Sequence, residues 1–249
     1  MTEFRYVGDE LDVFAGSQNW KEYFAGLLQK RIKGRVLEVG AGIGATTRAL
    51  WTCPVVSWTC LEPDAQLAAR IPAALLNKAP EIIVGTIGDL DETRQFDTIL
   101  YVDVLEHITD DREEVRRAVC HLAPGGSIIA LSPAFQALYS EFDRAIGHER
   151  RYSGTSLAAI FPPGLTQSDL FYADSAGALL SFANRLLLRS TLPTARQVWL
   201  WDRFVVPISR VVDPVIGRRF GRSIIAVYSS PARAPTGGAA GVSLASGDA

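Results

Sequence analysis

The chain has 249 residues, of which 48% are hydrophobic and 21% charged, and its formal net charge is -2. This length suits one large domain or two small ones, and the apolar content is sufficient for a full core without disulfides or metals. A slightly acidic chain is unlike a general nucleic-acid binder, which is normally basic. Its start, MTEFRYVGDE, has no apolar core, and no uninterrupted apolar run approaches the ~18 residues of a membrane span. We expect no nucleic-acid partner, no signal peptide and a cytoplasmic location.

Hydrophobic periodicity assigns the elements in chain order. Residues 1–34 are predicted to form a helical cap, because apolar residues recur on one helix face in NWKEYFAGLLQKRIKG, namely Trp20, Phe24, Leu27 and Leu28. Short β-rich runs then alternate with helical stretches. The predicted strands are 35–39, one ending near Leu61, 81–86, 96–103 and 127–133, and the predicted helices are one ending near Trp51, 64–77 and 111–123, the last closed by the turn PGG. Continuous apolar strands separated by helices indicate a parallel sheet covered on both faces.

Two further strand predictions flank a long insertion. Residues 165–174 and 222–231 have strand character, and residues 175–222 contain eight arginines and two aspartates, a formal charge of +6. Within this insertion, one helix face is predicted from apolar residues at helical spacing: Trp201, Val205, Ile208, Val212 and Val215. Pro207 and Pro214 are expected to kink or divide the helix.

The stretch RVLEVGAGIGATT, residues 35–47, places glycines at Gly40, Gly42 and Gly44, followed by Ala45. This spacing satisfies the G-x-G-x-x-G/A fingerprint of dinucleotide sites and equally the G-x-G-x-G turn that binds S-adenosylmethionine (SAM). Both ligands need a buried strand that turns sharply, exposes its backbone to the ligand and continues into a helix. The glycines alone therefore do not identify the ligand.

Four carboxylates at predicted strand ends distinguish the two ligands. Glu38, inside the first strand, costs desolvation unless a cation or donor offsets it, and the amino group of a methionine moiety would do so. Glu62 is placed to accept from both ribose hydroxyls and would serve NAD equally well. Asp89 and Asp103 follow the third and fourth strands. Together the four acids favour a zwitterionic ligand with a net positive charge and would repel an anionic dinucleotide.

Five stretches also carry a family resemblance. VLEVGAGIGATT, LEPD, GDL, FDTILYVDVLEHITDD and LAPGGSIIALSP, which lie in this order over about residues 35–135, resemble the class I SAM-dependent methyltransferases. The resemblance implies an α/β, Rossmann-like fold: a seven-stranded, mostly parallel sheet with an antiparallel last strand at 222–230, helices on both faces and a helical insertion before the last strand. The methyltransferase domain would then cover 35–231, and the small, polar residues 232–249 are predicted to be a disordered tail.

The resemblance implies SAM as the cofactor and assigns residues to it. Glu38 and the three glycines would line the methionine and ribose part, and Glu62 would hold the ribose hydroxyls. Asp89, flanked by Leu90, would meet the adenine amine, and Asp103 would stand near the methionine end. The complete implied set is Glu38, Gly40, Gly42, Gly44, Glu62, Pro63, Asp64, Asp89, Leu90 and Asp103.

The methyl acceptor is expected beyond the fourth and fifth strands, beside residues 135–153, which we call the acceptor-side segment. Its D…GHxRRY pattern resembles bacterial members of the family. One hypothesis makes His148 a general base and the arginines an anion clamp, since guanidinium groups match carboxylates and phosphates. The alternative is a lid stitched by salt bridges between Asp143 and the arginines, with a structural histidine. The candidates in this segment are Tyr139, Asp143, His148, Arg150, Arg151 and Tyr152.

His107, in the LEH that follows the fourth strand, is the second catalytic candidate. LEH also occurs in quinone-precursor O-methyltransferases, although a lone histidine at a strand end is more often structural or part of the SAM pocket. Glu106 and His107 together with the distant His148 do not have a recognised metal-binding spacing, so we predict no metal site.

These observations predict a SAM-dependent methyltransferase acting on a small molecule that is hydrophobic or lipid-like and acidic, with O-methylation favoured. The alternative is a catalytically inactive protein that binds SAM or S-adenosylhomocysteine (SAH) and regulates. An NAD-dependent oxidoreductase does not account for the loops of Asp89 and Asp103. The basic insertion, 175–222, is predicted to be either a helical cap or dimer interface, or a peripheral contact with the inner membrane face.

Overall fold

A computed structural model of the chain describes residues 5–6, 10–72, 79–187 and 194–232. Its centre is a seven-stranded sheet with the order β3-β2-β1-β4-β5-β7-β6. The strands are β1 (Arg35–Val39), β2 (Ser57–Glu62), β3 (Glu81–Val84), β4 (Phe96–Val102), β5 (Leu122–Pro133), β6 (Thr166–Ala173) and β7 (Ser223–Ser229). Strands β1 to β5 pair in parallel, whereas β7 is antiparallel to both β5 and β6. The predicted fold class is confirmed, including the antiparallel last strand.

The helices flank the sheet and one group of them precedes β7. They are α1 (Glu10–Ala15), α2 (Gln18–Leu28), α3 (Ala45–Leu50), α4 (Ala65–Ala68), α5 (Asp111–Cys120), α6 (Glu141–Ala145), α7 (Gly154–Ala158), α8 (Ser175–Leu187), α9 (Ala195–Leu200) and α10 (Val206–Val215), with a π-helical turn at Trp201–Val205. One apolar core includes Trp20, Phe24 and Leu28 of α2, as predicted, and Leu27 packs partly buried against it. A second core contains Ile99, Tyr101 and others. The alternating faces of the buried strands thus supply both layers.

The strand order puts the functional edge at the centre of the sheet. Strand β1 lies between β2 and β4, so the chain crosses from one side of β1 to the other, and the carboxyl ends of these strands border a crevice. Because β7 runs antiparallel, with Ser223 beside Pro133, its amino end meets the same edge. Loops after β1, β4, β5 and β6 and the residue before β7 are therefore neighbours.

Two predicted helices are shorter than expected. The helix predicted over 64–77 ends at Ala68 in the structure, and Pro72 disfavours helical geometry in the residue before it. Residues 73–78 lie outside the described part of the chain. The helix predicted over 111–123 ends at Cys120, and β5 begins already at Leu122, so PGG lies inside an irregularly paired strand and not in a turn before it.

The predicted apolar face of the insertion is divided between the core and the surface: Trp201 is buried and Val205 packs partly buried against the core, whereas the remaining three residues are exposed. The buried side chains of this helix are Val198, Trp201, Asp202, Val206, Ser209 and Asp213, while Ile208, Val212 and Val215 are exposed. The physical reason is the π-helical turn, which adds a residue to one turn and rotates the helix face. Pro207, which has no N–H to donate, directly follows this turn, and the helix continues past it without dividing.

Buried polar anchors attach the insertion to its neighbours, in addition to the apolar contacts of Val198, Trp201 and Val206. Asp213 accepts from the backbone N–H groups of Asp174 and Ser175 at 2.7 and 3.0 Å, and Asp202 accepts from the N–H of Trp20 at 2.9 Å. In the described part of the chain, no helix is long and apolar enough to cross a bilayer. The predicted disordered tail lies outside the described residues from position 233 onward.

Candidate active site

The glycine turn after β1 requires glycine at its first position. Gly40, Gly42 and Gly44 have φ values of 66°, 54° and 74°, which side-chain-bearing residues rarely adopt. At Gly40, a Cβ atom would lie only 2.6 Å from Cγ2 of Val104. The N–H of Gly40 donates to the carbonyl of Leu61 at 2.8 Å, which holds the turn against β2. The glycines therefore form a tight turn between β1 and α3, as the sequence spacing predicts.

Glu38 is a buried carboxyl group with an incomplete set of partners. Its Oε2 accepts from Thr47 Oγ1 at 2.7 Å and from Trp58 Nε1 at 2.8 Å, whereas its Oε1 has no hydrogen-bond partner in the described part of the chain. Burial raises the pKa of Glu38 to about 7, although the hydrogen bonds from Thr47 and Trp58 oppose the shift. A ligand that brings an ammonium group would supply the missing partner.

Glu62, at the end of β2, bridges the glycine turn and the start of α4. Its Oε2 accepts from the N–H of Gly42 at 2.7 Å, and its Oε1 accepts from the N–H of Asp64 at 3.0 Å. Each oxygen keeps a lone pair for a sugar hydroxyl. Asp64 is occupied as the cap of α4 and also accepts from the N–H of Tyr6 at 2.8 Å, and Pro63 lies between the two acids.

Asp89 and Asp103 mark the two sides of the crevice. Asp89 accepts from Thr86 N and Thr86 Oγ1, both at 2.8 Å, and these bonds lower its pKa, while Leu90 beside it is buried. Asp103 follows β4 with a φ of 54°, and its N–H donates to the carbonyl of Leu131 at 2.8 Å. Asp103 has exposed surface, and desolvation by the surrounding protein raises its pKa to about 6, although the charges of His148, Arg222 and Arg151 oppose the shift.

On the acceptor side, His148 is held by a buried carboxylate. Its Nδ1 lies 2.9 Å from Oδ1 of Asp143, a residue with no exposed surface. Arg151 binds the same carboxylate through Nε at 2.8 Å and Nη2 at 2.9 Å. Burial alone would raise the pKa of Asp143, but the bonds from His148 and Arg151 outweigh it and hold that pKa well below its usual range. Asp143 is therefore ionised at neutral pH.

Glu106 and His107, on the turn after β4, lie next to His148. Both oxygens of the fully buried Glu106 lack a hydrogen bond of good geometry in the described part of the chain, and Oε1 is 3.9 Å from Nε2 of His148. Burial, with the charge of Asp103, raises the pKa of Glu106 well above its usual range. The rings of His107 and His148 meet edge to face at 4.6 Å, and burial lowers the pKa of His107 to about 4. We call Glu106, His107 and His148 the histidine cluster.

Three predicted acceptor-binding residues have other partners. Arg150 pairs with Asp111, Nη1 to Oδ2 at 2.6 Å, and Tyr152 is 1% exposed and donates to the same Asp111 at 2.7 Å. Tyr139 donates to the carbonyl of His148 at 2.6 Å. Through these contacts Arg150 and Tyr152 hold the acceptor-side segment in place. We therefore do not include these two residues in the proposed acceptor site.

Arg222 lies directly before β7, at the sheet edge where the carboxyl ends of the parallel strands meet. From the sequence it was predicted only as part of the basic insertion. Its guanidinium lies 4.0 Å from the ring centroid of Trp201, and its Nε is 3.2 Å from Oδ2 of Asp174. Burial lowers its pKa, and it also interacts with the charges of Arg151 and Asp103. No short motif could have revealed this pairing, because about 70 residues separate Arg151 from Arg222.

An aromatic cluster lies next to Arg222. Phe14 of α1 lies 6.2 Å from Phe142 of α6 and 6.1 Å from Trp201, centroid to centroid. The cluster therefore joins the N-terminal helices, the acceptor-side segment and the insertion. Trp201 is buried and Phe14 packs against the same core, so the cluster gives this edge an apolar backing.

Comparisons with known proteins agree with the geometry. A family described as a methyltransferase domain matches residues 37–128. No curated protein matches the chain. A chain from the complex of the Haloferax volcanii Trm112 methyltransferase activator with a protein assigned as a methyltransferase has a TM-score of 0.62 and 18% identity, covering 92% of this chain and 99% of that one.

Two other solved structures are similar. The N-methyltransferase NodS from Bradyrhizobium japonicum WM9, in complex with SAH, has a TM-score of 0.55 and 16% identity and covers 87% of this chain and 88% of its own. The [4+2]-cyclase SpnF has a TM-score of 0.59 and 15% identity, covering 91% and 96%. At these identities the likeness establishes the fold alone, while the family match identifies the domain. Residues 37–128 therefore form a SAM-dependent methyltransferase domain, and the enzyme class and the cofactor predicted from the sequence are confirmed.

Proposed function

We propose that this methyltransferase modifies a small molecule with an apolar body and an acidic group, and that the methyl group goes to an oxygen atom. The observation that carries the proposal is the pair Arg151 and Arg222, two largely buried guanidinium groups whose charges interact with each other and with Asp103 and Asp143. Nη1 of Arg151 is buried without a hydrogen-bond partner in the described part of the chain. A carboxylate or phosphate on the acceptor would supply that partner, because guanidinium donors match such groups in geometry.

The cofactor residues proposed from the sequence fit this arrangement. When bound, SAM supplies an electrophilic methyl group on a cationic sulfonium, and an acceptor atom displaces it in line. Glu38 would bind the methionine amino group and Glu62 the ribose hydroxyls, because each is buried at a strand end with lone pairs to offer. Asp89 and Leu90 would border the adenine.

Activation of an acceptor hydroxyl is assigned to the Nε2 edge of His148. Asp143 accepts the Nδ1 proton of this ring, which leaves Nε2 with its lone pair directed toward Glu106. The neutral His107 beside it adds no competing positive charge. A hydroxyl placed near Nε2 can lose its proton as the new bond to carbon forms, whereas nitrogen acceptors need no such group.

The apolar character of the acceptor is supported by two features. The aromatic cluster of Phe14, Phe142 and Trp201 makes the surroundings of Arg222 apolar. On the outside of the insertion, α10 and the π-helical turn expose apolar side chains, namely Phe204, Ile208, Val211, Val212 and Val215, next to the exposed Arg203 and Arg210. An apolar helix face with arginines matches the interface of an anionic bilayer. We therefore propose that the insertion contacts a lipid surface from which the acceptor is taken.

The acceptor is tested by transfer of labelled methyl groups from SAM into an extract of the source cells, followed by separation into organic and aqueous phases. We expect the label in the organic phase, and its loss in mild alkali would identify a carboxylate ester rather than an ether. The matched variants are Arg222→Met and Arg150→Met, since Arg222 interacts with the charge of Arg151 whereas Arg150 is paired with Asp111. Label confined to the aqueous phase would refute the lipid-like acceptor, and equal labelling by both variants would refute the arginine pair.

The lipid contact is tested by flotation with vesicles that contain anionic phospholipid and with neutral vesicles. Val211→Glu and Val215→Glu are suitable changes because these side chains are 71% and 83% exposed, so the fold should tolerate them. Val56→Glu, at a residue 80% exposed before β2, is the control. We expect binding to anionic vesicles that the first two variants lose and the control keeps. Concentration-dependent dimerisation through this face, without vesicle binding, would contradict the proposal.

A further inference from the structure

The histidine cluster has the composition of a metal site. One ligand atom each from Glu106, His107 and His148 lies within 4.8 Å of the other two. Glu106 and His107 come from the turn after β4, and His148 is brought to them by the hydrogen bond from the N–H of Glu149 to the carbonyl of Glu106, 2.7 Å long. The sequence spacing gave no reason to expect this, because the three residues meet only through the neighbouring ends of β4 and β5.

We propose that Glu106, His107 and His148 bind one divalent transition-metal ion of the Zn²⁺ class. Two imidazoles and one carboxylate are the protein ligands of known catalytic zinc centres, and such a set leaves coordination positions for a substrate. Imidazole favours Zn²⁺, Fe²⁺, Co²⁺ or Ni²⁺ over Mg²⁺, which prefers oxygen ligands. Binding of the ion is independent of the proposed function, and only its catalytic role rests on that function.

Glu106 gives the first independent support. Its side chain has no exposed surface, and neither carboxylate oxygen has a well-formed hydrogen bond in the described part of the chain. The hydroxyl of Ser132 lies near the Glu106 carboxyl group, but it too has no well-formed hydrogen bond in the described part of the chain. A buried carboxylate without partners is costly, and a bound cation removes that cost.

The surroundings of His148 give the second support. Metal-binding histidines almost always donate their other ring N–H to a carboxylate or carbonyl, which fixes the tautomer. Here Asp143 accepts from Nδ1 at 2.9 Å and is itself held by Arg151 and by Ser140, whose N and Oγ donate at 2.8 Å. Nε2 is thus left as the ligand atom, 3.9 Å from Oε1 of Glu106.

The separations are compatible with binding after small side-chain rotations. Metal–ligand distances of about 2.0–2.2 Å place neighbouring ligands roughly 3.3–3.6 Å apart. The observed 3.9 Å between Nε2 of His148 and Oε1 of Glu106 is close to this spacing.

With the ion bound, the Nε2 lone pair of His148 is donated to the metal, so the ion would replace the imidazole in the activation step of the proposed function. An acceptor hydroxyl that occupies an open position on the ion loses its proton to solvent water more readily, because the cation stabilises the resulting anion. That oxygen then forms the bond to the methyl carbon while the carbon–sulfur bond breaks and SAH leaves. The cation, rather than the free imidazole, would thus acidify the hydroxyl.

Binding is tested on tag-free, full-length protein that has been treated with a chelator and then titrated with Zn²⁺ by calorimetry. We expect one ion per chain, and with Co²⁺ a visible absorption band of a low-coordinate site. Glu106→Gln and His148→Asn should weaken binding at least 100-fold. His121→Asn is the matched control, since its ring bonds to the carbonyl of Arg94 and lies outside the cluster. Absence of binding, or equal binding by the cluster variants, would overturn the site.

The same preparations separate this site from the proposed function. SAH affinity, measured by calorimetry, should be unchanged by Glu106→Gln, and methyl transfer by the chelated protein should rise at least tenfold when Zn²⁺ or Co²⁺ is restored. Stoichiometric binding without any methyl transfer would support the metal site and refute the proposed acceptor. Transfer at an equal rate with and without bound ion would refute the catalytic role of the ion.

Discussion

Nδ1 of His148 lies 2.9 Å from Oδ1 of Asp143, and this hydrogen bond determines which ring nitrogen faces the acceptor side. An ionised carboxylate only accepts, so Nδ1 must carry the proton and Nε2 the lone pair in the neutral ring. Arg151 holds the carboxylate with two further bonds, so its position does not depend on the histidine. Asp143 is therefore a positioning residue for His148.

Asp143→Asn should lower the rate of methyl transfer by about 10²–10⁴-fold, because an amide can donate to Nδ1 and reverse the tautomer. The affinity for Zn²⁺ should fall by about 10–100-fold. SAH affinity should stay unchanged, since Asp143 does not line the glycine turn. Rates from labelled SAM, together with calorimetry for Zn²⁺ and SAH, provide the measurement.

The matched control for this change is Asp111→Asn, which removes another carboxylate that holds an arginine of the acceptor-side segment. Asp111 pairs with Arg150 and accepts from Tyr152, and within the described part of the chain it has no hydrogen bond or ion pair with a histidine. A comparable loss of transfer in both variants would mean that Asp143 only stabilises the lid.

Gly40→Ala should impair the cofactor turn. The new Cβ would lie 2.6 Å from Cγ2 of Val104, at a φ of 66° that strains any side-chain-bearing residue. We expect a loss of about 1–3 kcal/mol in the free energy of unfolding. We also expect at least tenfold weaker binding of SAH, measured by calorimetry.

Gly26→Ala in α2 is the control for Gly40→Ala. Nothing lies within 4 Å of a Cβ at Gly26, and alanine in a helix interior is more stable than glycine by about 0.5–1 kcal/mol. This variant should therefore unfold at a higher denaturant concentration and bind SAH normally. If both changes weaken SAH binding equally, the close approach at Gly40 is not the cause.

Most of the fold and the cofactor turn were predictable because they depend on local patterns. Continuous apolar runs identified the strands, and the glycine spacing identified the turn with its φ values above zero. The buried face of the insertion was not predictable, because one π-helical turn at Trp201–Val205 changes the helical phase. After this turn the polar residues Ser209 and Asp213 are buried, and Ile208, Val212 and Val215 of the predicted apolar face are exposed.

The acceptor side was predictable in its residues but not in their pairing. Sequence proximity suggested that Arg150 and Arg151 act together, whereas Arg150 binds Asp111 and Arg151 lies with Arg222. Such partners depend on the antiparallel entry of β7 at the edge, a long-range feature of the topology. Sequence spacing likewise could not show that His148 reaches Glu106.

Arg222→Met should weaken methylation of an acidic acceptor without changing the cofactor site. A charge-assisted hydrogen bond contributes about 1.5–3 kcal/mol, which corresponds to roughly 10–150-fold in the rate at low acceptor concentration. Asp174 keeps bonds from Trp201, at 2.9 Å, and Ser209, at 2.7 Å, so the fold should survive the change. Labelled transfer at several extract dilutions, with SAH affinity measured in parallel, would show the effect. A loss that disappears at high acceptor concentration indicates lost binding, and a loss of SAH affinity would contradict the assignment.

The buried carboxyl of Glu38 should make stability fall as the pH rises from about 4.5 to about 7. Its pKa is raised from 4.5 to about 7 in the folded chain, so the folded state binds the proton more tightly than the unfolded state does. The stabilisation is complete below pH 4.5 and is lost as pH rises through 7, in total about 3 kcal/mol. Denaturant unfolding of wild type and Glu38→Gln at pH 5 and pH 8 isolates the contribution of Glu38 to the pH dependence of the unfolding free energy, because the glutamine does not titrate.

The same carboxyl should make cofactor binding depend on pH in the opposite direction. The ammonium group of SAH favours ionised Glu38, so below pH 7 binding must release a proton from this carboxyl. The affinity for SAH should therefore rise between pH 5 and pH 7, by up to about tenfold per pH unit, and level off above pH 7. In Glu38→Gln the affinity should be lower at pH 8 and independent of pH, because the amide still accepts from Thr47 and Trp58 but carries no charge. Calorimetry in buffers of different ionisation enthalpy measures the proton release directly. A wild-type affinity that is constant from pH 5 to pH 8 would show that the ammonium group does not meet Glu38.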